Sequence, residues 1–294
     1  MDPEVIAQGA WRQAAPALYV VATPLGNLAD LSPRARAVLA GVDCIAAEDT
    51  RHSQRLLDAW GIRTPMLPAH EHNEQAAAQA IVVRLSRGEH VALISDAGTP
   101  GICDPGARIV AAVRAAGFAA VPVPGPSAVI AALSVAGFVE PGFRFIGFLP
   151  PKQAARRKLL ASLAAEEVPV ACYEAPHRVR ESVADMLEVL GGTRELFLAR
   201  ELTKRFEETV RLPLAQMPAW LEERPERTRG EFVLILGPGE AQAAREDEGR
   251  RVLARLTQAG VPFGEAVRLA AELTGASKNR LYAQGLARGR EDED

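Results

Sequence analysis

Two carboxylates, Glu48 and Asp49, open the stretch "EDTRHS", with Arg51 and His52 close behind them. A carboxylate can take a proton from a weak nucleophile, and a guanidinium beside it can hold a phosphate. The same residues have a plainer use: Asp49 with Thr50 can cap the following helix, leaving Arg51 solvated in its first turn. A second run, "HEHNE", sets His70 and His72 around Glu71, ahead of Asn73. Two imidazoles in an extended stretch can begin a metal site, but no third ligand stands in place and no metal is expected.

The longest chemical signal is "LISDAGTPGICDPG", residues 93–106. An apolar strand ends there in Gly98, Gly101, Gly106, two prolines and two aspartates. Such backbone packs poorly, but it can lie close against a ligand. Two nucleotide readings fail. The glycines stand three and five apart, not as G-x-G-x-x-G. Gly101 to Gly106 has the spacing of a phosphate-cradling loop, but Ala107 and Arg108 replace its lysine and hydroxyl. Asp96 is suited to a ribose hydroxyl or an amine rather than a phosphate, and Asp104 reads as the cap of the next helix. "VATPLGN" and "VPVPGPSA" end two further strands in the same way, with Ser127 as cap or ligand donor. Three such loops on one sheet edge would line one crevice.

The elements that must position these loops alternate along the chain. "ALYVVAT", "VDCIAAE", "HVALIS" and "FAAVPV" read as strands between helical segments. Ser32 caps one helix, Thr50 another, and Asp104–Pro105 opens a third. This grammar predicts a mostly parallel, doubly covered sheet. A second set follows, from "FRFIGFL" through "VPVACYEA" and "ELFLARELT". "FEETVRLPL" and "GEFVLILG" then read as hairpin-like strands around a short helix at Trp220. His177 and Arg178 open a helix as structural residues. The charged, Gly/Pro-flanked stretch 237–250 reads as a linker. Residues 265–287 have helix-turn-helix grammar around "TGAS", with Ser277 as the second cap. A helical hairpin packed on the body fits that pattern equally well.

With 294 residues and 48% hydrophobic content, two domains and an appendage are expected. Balanced charge, 34 basic against 37 acidic residues, removes the global signature of a nucleic-acid binder while leaving room for a local patch. Cys44, Cys103 and Cys172 fit no zinc spacing and read as small buried hydrophobes in a reducing compartment. No basic-then-apolar leader and no run near the ~20 residues of a membrane span are visible. A soluble cytoplasmic protein is expected.

"TPLGNLADLSPRA", "AEDTRHSQRLL", "HEHNE", "LISDAGTPGICDPG", "PGPSA", "GFLP", "YEAPHRV" and "ARELTK" occur here in one order. From about Leu18 to Pro238 they resemble the ribosomal RNA small subunit methyltransferase I family, a branch of the tetrapyrrole-methylase superfamily. Residues 265–287 are similar to its small C-terminal helical domain. The resemblance implies two α/β domains with S-adenosylmethionine (SAM) in the cleft between them, normally in a homodimer. It implies methyl transfer to the ribose 2′-hydroxyl of a decoding-centre cytidine in 16S rRNA of the small ribosomal subunit. Carried over by motif, the cofactor site comprises Pro24, Ser95, Asp96, Ala97, Thr99, Ile102, Ser127 and Ala128. Tyr173, Glu174, Gly230 and Glu231 supply the second domain's share. Glu48, Asp49 and Arg51 are the catalytic candidates. Arg51, Lys204, Lys278 and Arg280 are the RNA-binding candidates; Arg200 and Glu201 could reach the RNA with Lys204 from the second domain, and Lys204 and Arg205 read equally as a solvated strand edge. Cys103 departs from the family's serine.

The expected organisation is therefore a flexible extension (1–16, with Trp11), domains at 17–125 and 126–238, a linker at 239–250 and a small helical domain at 251–294. Two other function classes stay open on sequence: a SAM-dependent tetrapyrrole carbon methylase, and a non-catalytic nucleic-acid-binding protein. A dehydrogenase is excluded by the missing dinucleotide fingerprint.

Overall fold

The computed structural model describes residues 11–283, with backbone alone for 240–244. The chain divides into two compact units. One runs as far as Ala131 and takes in Leu202–Phe206; the other comprises Ala132–Glu201 and the chain from Glu207.

The first unit is a five-stranded sheet in the order β3-β2-β4-β1-β5, built from β1 (Ala17–Val21), β2 (Cys44–Ala47), β3 (Met66–Pro68), β4 (Val91–Ile94) and β5 (Ala119–Val123). Every pairing is parallel. The inner strands β2 and β4 are buried along their whole length because helices cover both faces. α1 (Pro33–Gly41) and α2 (Thr50–Ala59) pack on one face, and α3 (Glu74–Ser86) and α4 (Ala107–Ala115) on the other. Ser32 caps α1, its hydroxyl accepting from Ala35 N at 3.0 Å. The cap of α2 is Asp49, not Thr50: Oδ1 accepts from the amides of Arg51 and His52. A carboxylate reaches two free amides and complements the helix dipole, which a threonine hydroxyl cannot match.

The second unit's sheet has the order β6-β7-β10-β8-β9: β6 (Arg144–Phe148), β7 (Val170–Glu174), β8 (Glu195–Arg200), β9 (Glu208–Pro213) and β10 (Phe232–Leu236). β8 and β9 form the antiparallel hairpin. β10 does not pair with β9; it enters antiparallel between β7 and β8, burying all five of its apolar residues. α5 (Ala128–Ala136) precedes this sheet, and α6 (Gln153–Ser162), α7 (Val179–Leu190) and α8 (Met217–Glu223) punctuate it. Arg178 pairs with Glu174 at 2.6 Å, the structural role expected of it.

Two expectations give way here. The 239–250 stretch is no linker: α9 runs through it, Glu240–Gln258. Its Ala, Glu and Arg residues are strong helix formers, and an exposed helix has the same composition as a solvated linker. α10 (Phe263–Thr274) packs on α9 around Leu253, Val267 and Leu281, and Gly275 ends α10 in a left-handed turn. Residues 278–283 begin the next helix, with Ser277 Oγ toward Arg280 N. That is the helix-turn-helix order.

Trp11, moreover, is no part of a flexible extension. It is 8% exposed, edge-on to Tyr19 at 5.2 Å, with its ring on the Cα of Gly41 where any Cβ would collide. Gln13 N donates to the Tyr19 hydroxyl at 2.8 Å. An indole that can pack against the face of a sheet gains too much apolar burial to stay in water. The remainder of the expected extension, residues 1–10, lies outside the described residues. Trp11→Ala should lower the unfolding free energy by about 3–5 kcal/mol, read from urea denaturation followed by circular dichroism.

Candidate active site

The carboxyl ends of β1, β4 and β5 carry the three glycine- and proline-rich loops, and the structure ties them together. Thr23, buried after β1, forms a backbone bridge with Gly98 after β4. Thr23 N donates to Gly98 O at 2.8 Å, and Gly98 N to Thr23 O at 3.0 Å. Gly98 sits at φ 78°, where an L side chain is strained. The Thr23 hydroxyl donates to the Ser95 carbonyl at 3.1 Å, and the Thr99 hydroxyl to the Pro126 carbonyl at 3.0 Å. Pro24, Ala97 and Ser127 are the chain neighbours of these tie points. Ser127 and Ala128 are half-buried at the head of α5, the Ser127 carbonyl accepting from Ala131 N. Ile102 is 54% exposed on the same loop as Gly98, and Cys103 is exposed beside it rather than buried. The loop turns outward there, leaving the thiol no core to enter.

The acidic side of this edge is a linked set. Asp96 N donates to Glu48 Oε2 at 3.3 Å, and Asp49 N donates to Asp96 Oδ1 at 3.2 Å. Burial pushes the Glu48 carboxyl up, against the Asp96 amide that lowers it; Asp104, Asp96 and Asp49 raise it further. Asp104 is likewise raised by burial, with Ser95 opposing through a hydrogen bond. Asp49 goes the other way, because the amides of Arg51 and His52 stabilise its charge. Of the two candidate bases, Glu48 therefore has the more basic surroundings, and Asp49 is spent as a helix cap. Parallel pairing of β2 with β3 brings "HEHNE" beside this cluster, Ala69 N donating to Ala47 O. The His70 and His72 rings stand 6.1 Å apart, and among the described residues no group of three or more His, Cys, Asp or Glu could hold a metal.

Asp104 does not cap α4. The helix starts at Ala107, and its free amides are met from α3: Glu74 Oε1 accepts from Gly106 N at 2.9 Å and Arg108 N at 3.1 Å. Glu74 is the residue that sequence reasoning passed over. It closes "HEHNE", but its partner lies 32 residues on, and no local pattern announces that.

The second unit's candidate residues lie at one edge of its own sheet. Phe232 of β10 pairs with Glu174 on one side and Arg200 on the other, so Tyr173, Glu174, Gly230, Glu231 and Glu201 are neighbours. The Tyr173 ring packs edge-on to Phe145 and Phe148. The Glu174 carboxylate pairs with Arg178, Ser182 Oγ and Ala175 N. Glu231 N donates to Glu201 Oε1 at 3.0 Å, over the Cα of Gly230. In the segment counted with the first unit, the aliphatic stem of Lys204 lies on the Cα of Gly26, in the first loop.

Of the distal RNA candidates, Lys278 is exposed and Arg280 is paired with an acid of its own unit. Its Nε lies 2.6 Å from Glu140 Oε1, a carboxylate only 3% exposed. A buried charge attracts the nearest guanidinium more strongly than open solvent does.

A parallel sheet whose strand ends form one tied set of glycine- and proline-rich loops, followed by a mixed sheet, defines a two-unit α/β fold. The model of the tetrapyrrole (corrin/porphyrin) methylases matches residues 17–218, and that of the RsmI C-terminal HTH domain matches residues 243–289. The ribosomal RNA small subunit methyltransferase I of Pseudomonas aeruginosa is 50% identical over 273 residues, 92% of this chain and 97% of that protein. The protein of that name from Escherichia coli O157:H7 is 46% identical over 272 residues, 92% and 94% of the two chains. Among solved structures, the uroporphyrin-III C-methyltransferase of Thermus thermophilus, complexed with S-adenosylhomocysteine, superposes with a TM-score of 0.52 at 16% identity, covering 75% of this chain and 97% of that one. That likeness shows the fold. The chain belongs to the tetrapyrrole methylase family and, within it, to the ribosomal RNA small subunit methyltransferase I family. No described helix is long and apolar enough to cross a membrane.

Glu74→Ala should cost about 1–3 kcal/mol, because it leaves two amides without their acceptor. Glu74→Gln, which keeps a carbonyl oxygen, should recover most of the loss in urea denaturation.

Proposed function

We propose that this protein is a SAM-dependent methyltransferase that methylates the ribose 2′-hydroxyl of a decoding-centre cytidine in 16S rRNA, acting in the cytoplasm as a homodimer. The observation that carries the reading is the tied loop set after β1, β4 and β5, with Glu48 and Asp96 interlocked beside it. The names of the relatives support RNA as the substrate, and the S-adenosylhomocysteine in the Thermus neighbour supports the donor.

The loop residues fit such a donor. Backbone at Ala97, Gly98 and Thr99 offers close approach, Asp96 offers an acceptor for ribose hydroxyls, and exposed Ile102 offers an apolar contact. A sulfonium donor supplies an electrophilic methyl group. The chain's own residues must then hold a hydroxyl in line and take its proton. Glu48 is the proton acceptor in this reading, since burial raises its basicity, and Asp96 N keeps its carboxylate oriented. Arg51, in the first turn of α2, and Lys204 hold phosphates of the RNA. Asp49 sets the start of α2 and with it the position of Arg51.

The first test is transfer of labelled methyl from SAM to small ribosomal subunits from cells lacking the protein, followed by digestion to nucleosides. A 2′-O-methylated cytidine supports the reading; methylation of uroporphyrinogen instead overturns it. Asp96→Ala should weaken SAM binding about 10-fold or more, the loss of a charged hydrogen-bond acceptor, measured by calorimetry. Because the Glu48 carboxyl is raised, kcat/KM should fall as pH drops through a value above the ordinary carboxylate range. Glu48→Gln should abolish most of the rate and flatten that acid limb while leaving SAM affinity near wild type.

A further inference from the structure

The segment Leu202–Phe206 carries an aromatic that the established family features leave unexplained. Phe206 is 64% exposed, against the tendency of phenylalanine to bury. The backbone leading to it is forced: Glu201 at φ 50° and Thr203 at φ 66° are non-glycine residues in the left-handed region. Such conformations persist where the surroundings hold them, and they gather at functional sites. Within the second unit the Glu201 carboxylate is fixed over Gly230 by Glu231 N, and within the first the Lys204 stem rests on Gly26. The second contact sets the segment against the first ligand loop, at the carboxyl edge of the parallel sheet.

Beyond the strained turn come a cation, a second cation and a ring: Lys204, Arg205 and Phe206. The Arg205 guanidinium lies 5.6 Å from the Phe206 ring centroid. Of the acids that follow, Glu208 is paired with Arg227 at 3.0 Å and Arg200 at 3.5 Å. An exposed ring with flanking cations matches single-stranded nucleic acid, which offers an unstacked base and phosphates at either side. Bases in single-stranded RNA loops can be splayed out and stacked on an aromatic side chain.

We propose that Phe206 is the base-stacking residue of the RNA site, taking the face of the target base or of its immediate neighbour, while Arg205 and Lys204 engage the adjoining phosphates. This rests on the RNA reading above and deepens it. Glu201 and Thr203 act as positioning residues, aiming the ring.

The test uses the full-length protein, saturating SAM and small subunits from cells lacking the protein. Phe206→Ala should raise KM for subunits about 10-fold or more, within the loss expected for one base–aromatic stack. Phe206→Tyr and Phe206→Trp should restore it, and SAM affinity by calorimetry should not change. Arg205→Ala should reduce the slope of log KM against log salt, and Phe206→Ala should leave that slope intact. An unchanged KM in Phe206→Ala overturns the proposal, as does failure of both aromatic replacements. A fall in SAM affinity assigns the ring to the donor site instead. A shift in sedimentation to a smaller species assigns it to contact with a second copy, and either result overturns stacking. Wild-type turnover is the separate control: if the wild type methylates no subunit RNA, the functional reading itself fails.

Discussion

Everything at the candidate site depends on the backbone bridge between Thr23 and Gly98. Parallel strands leave their carboxyl ends unpaired, and the loops beyond them have few side chains able to pack. Without a tie, each loop would sample many conformations, and ordering them would fall to the ligand. Two amide hydrogen bonds, the Thr23 hydroxyl and the Thr99 hydroxyl turn three loops into one preformed surface. The left-handed conformation at Gly98 is what lets the chain turn back to make the bridge.

Electrostatics at this edge follows from the same geometry. Glu48 ends β2 and Asp96 follows β4, and these strands are hydrogen-bonded neighbours, so two carboxylates are brought together at the border of a dry core. Desolvation and mutual repulsion raise one of them, while helix amides lower a third, Asp49. Carboxylates close together in sequence thus acquire different chemistry, one suited to accept a proton and one fixed as a cap.

A second theme is support from a distance. α4, which follows the long ligand loop, starts where Glu74 of α3 allows it to start. Gly26 in the first unit and Gly230 in the second each admit a side chain, Lys204 and Glu201, that a Cβ would exclude. Arg280 in the helix-turn-helix is steered by a buried carboxylate at Glu140. In each case a partner distant in sequence fixes where a segment lies.

The alternation of apolar runs with Ser, Asp, Pro and Gly signals was enough for the strand and helix order, because those signals act within one turn of the chain. Ser32, Gly275 and Ser277 sit where local stereochemistry requires them. The loops after β1, β4 and β5 were legible as irregular loops for the same reason: glycine and proline gather where each core strand ends. Tertiary structure decided what depends on partners far along the chain. Asp49 displaced Thr50 as the cap, Glu74 displaced Asp104, Trp11 left its expected extension for the core, and 239–250 became helix. Composition cannot separate a solvated linker from a solvated helix, or a capping acid from a catalytic one. Those choices are made by burial and by hydrogen bonds across tens of residues, which exist only once the sheet has formed.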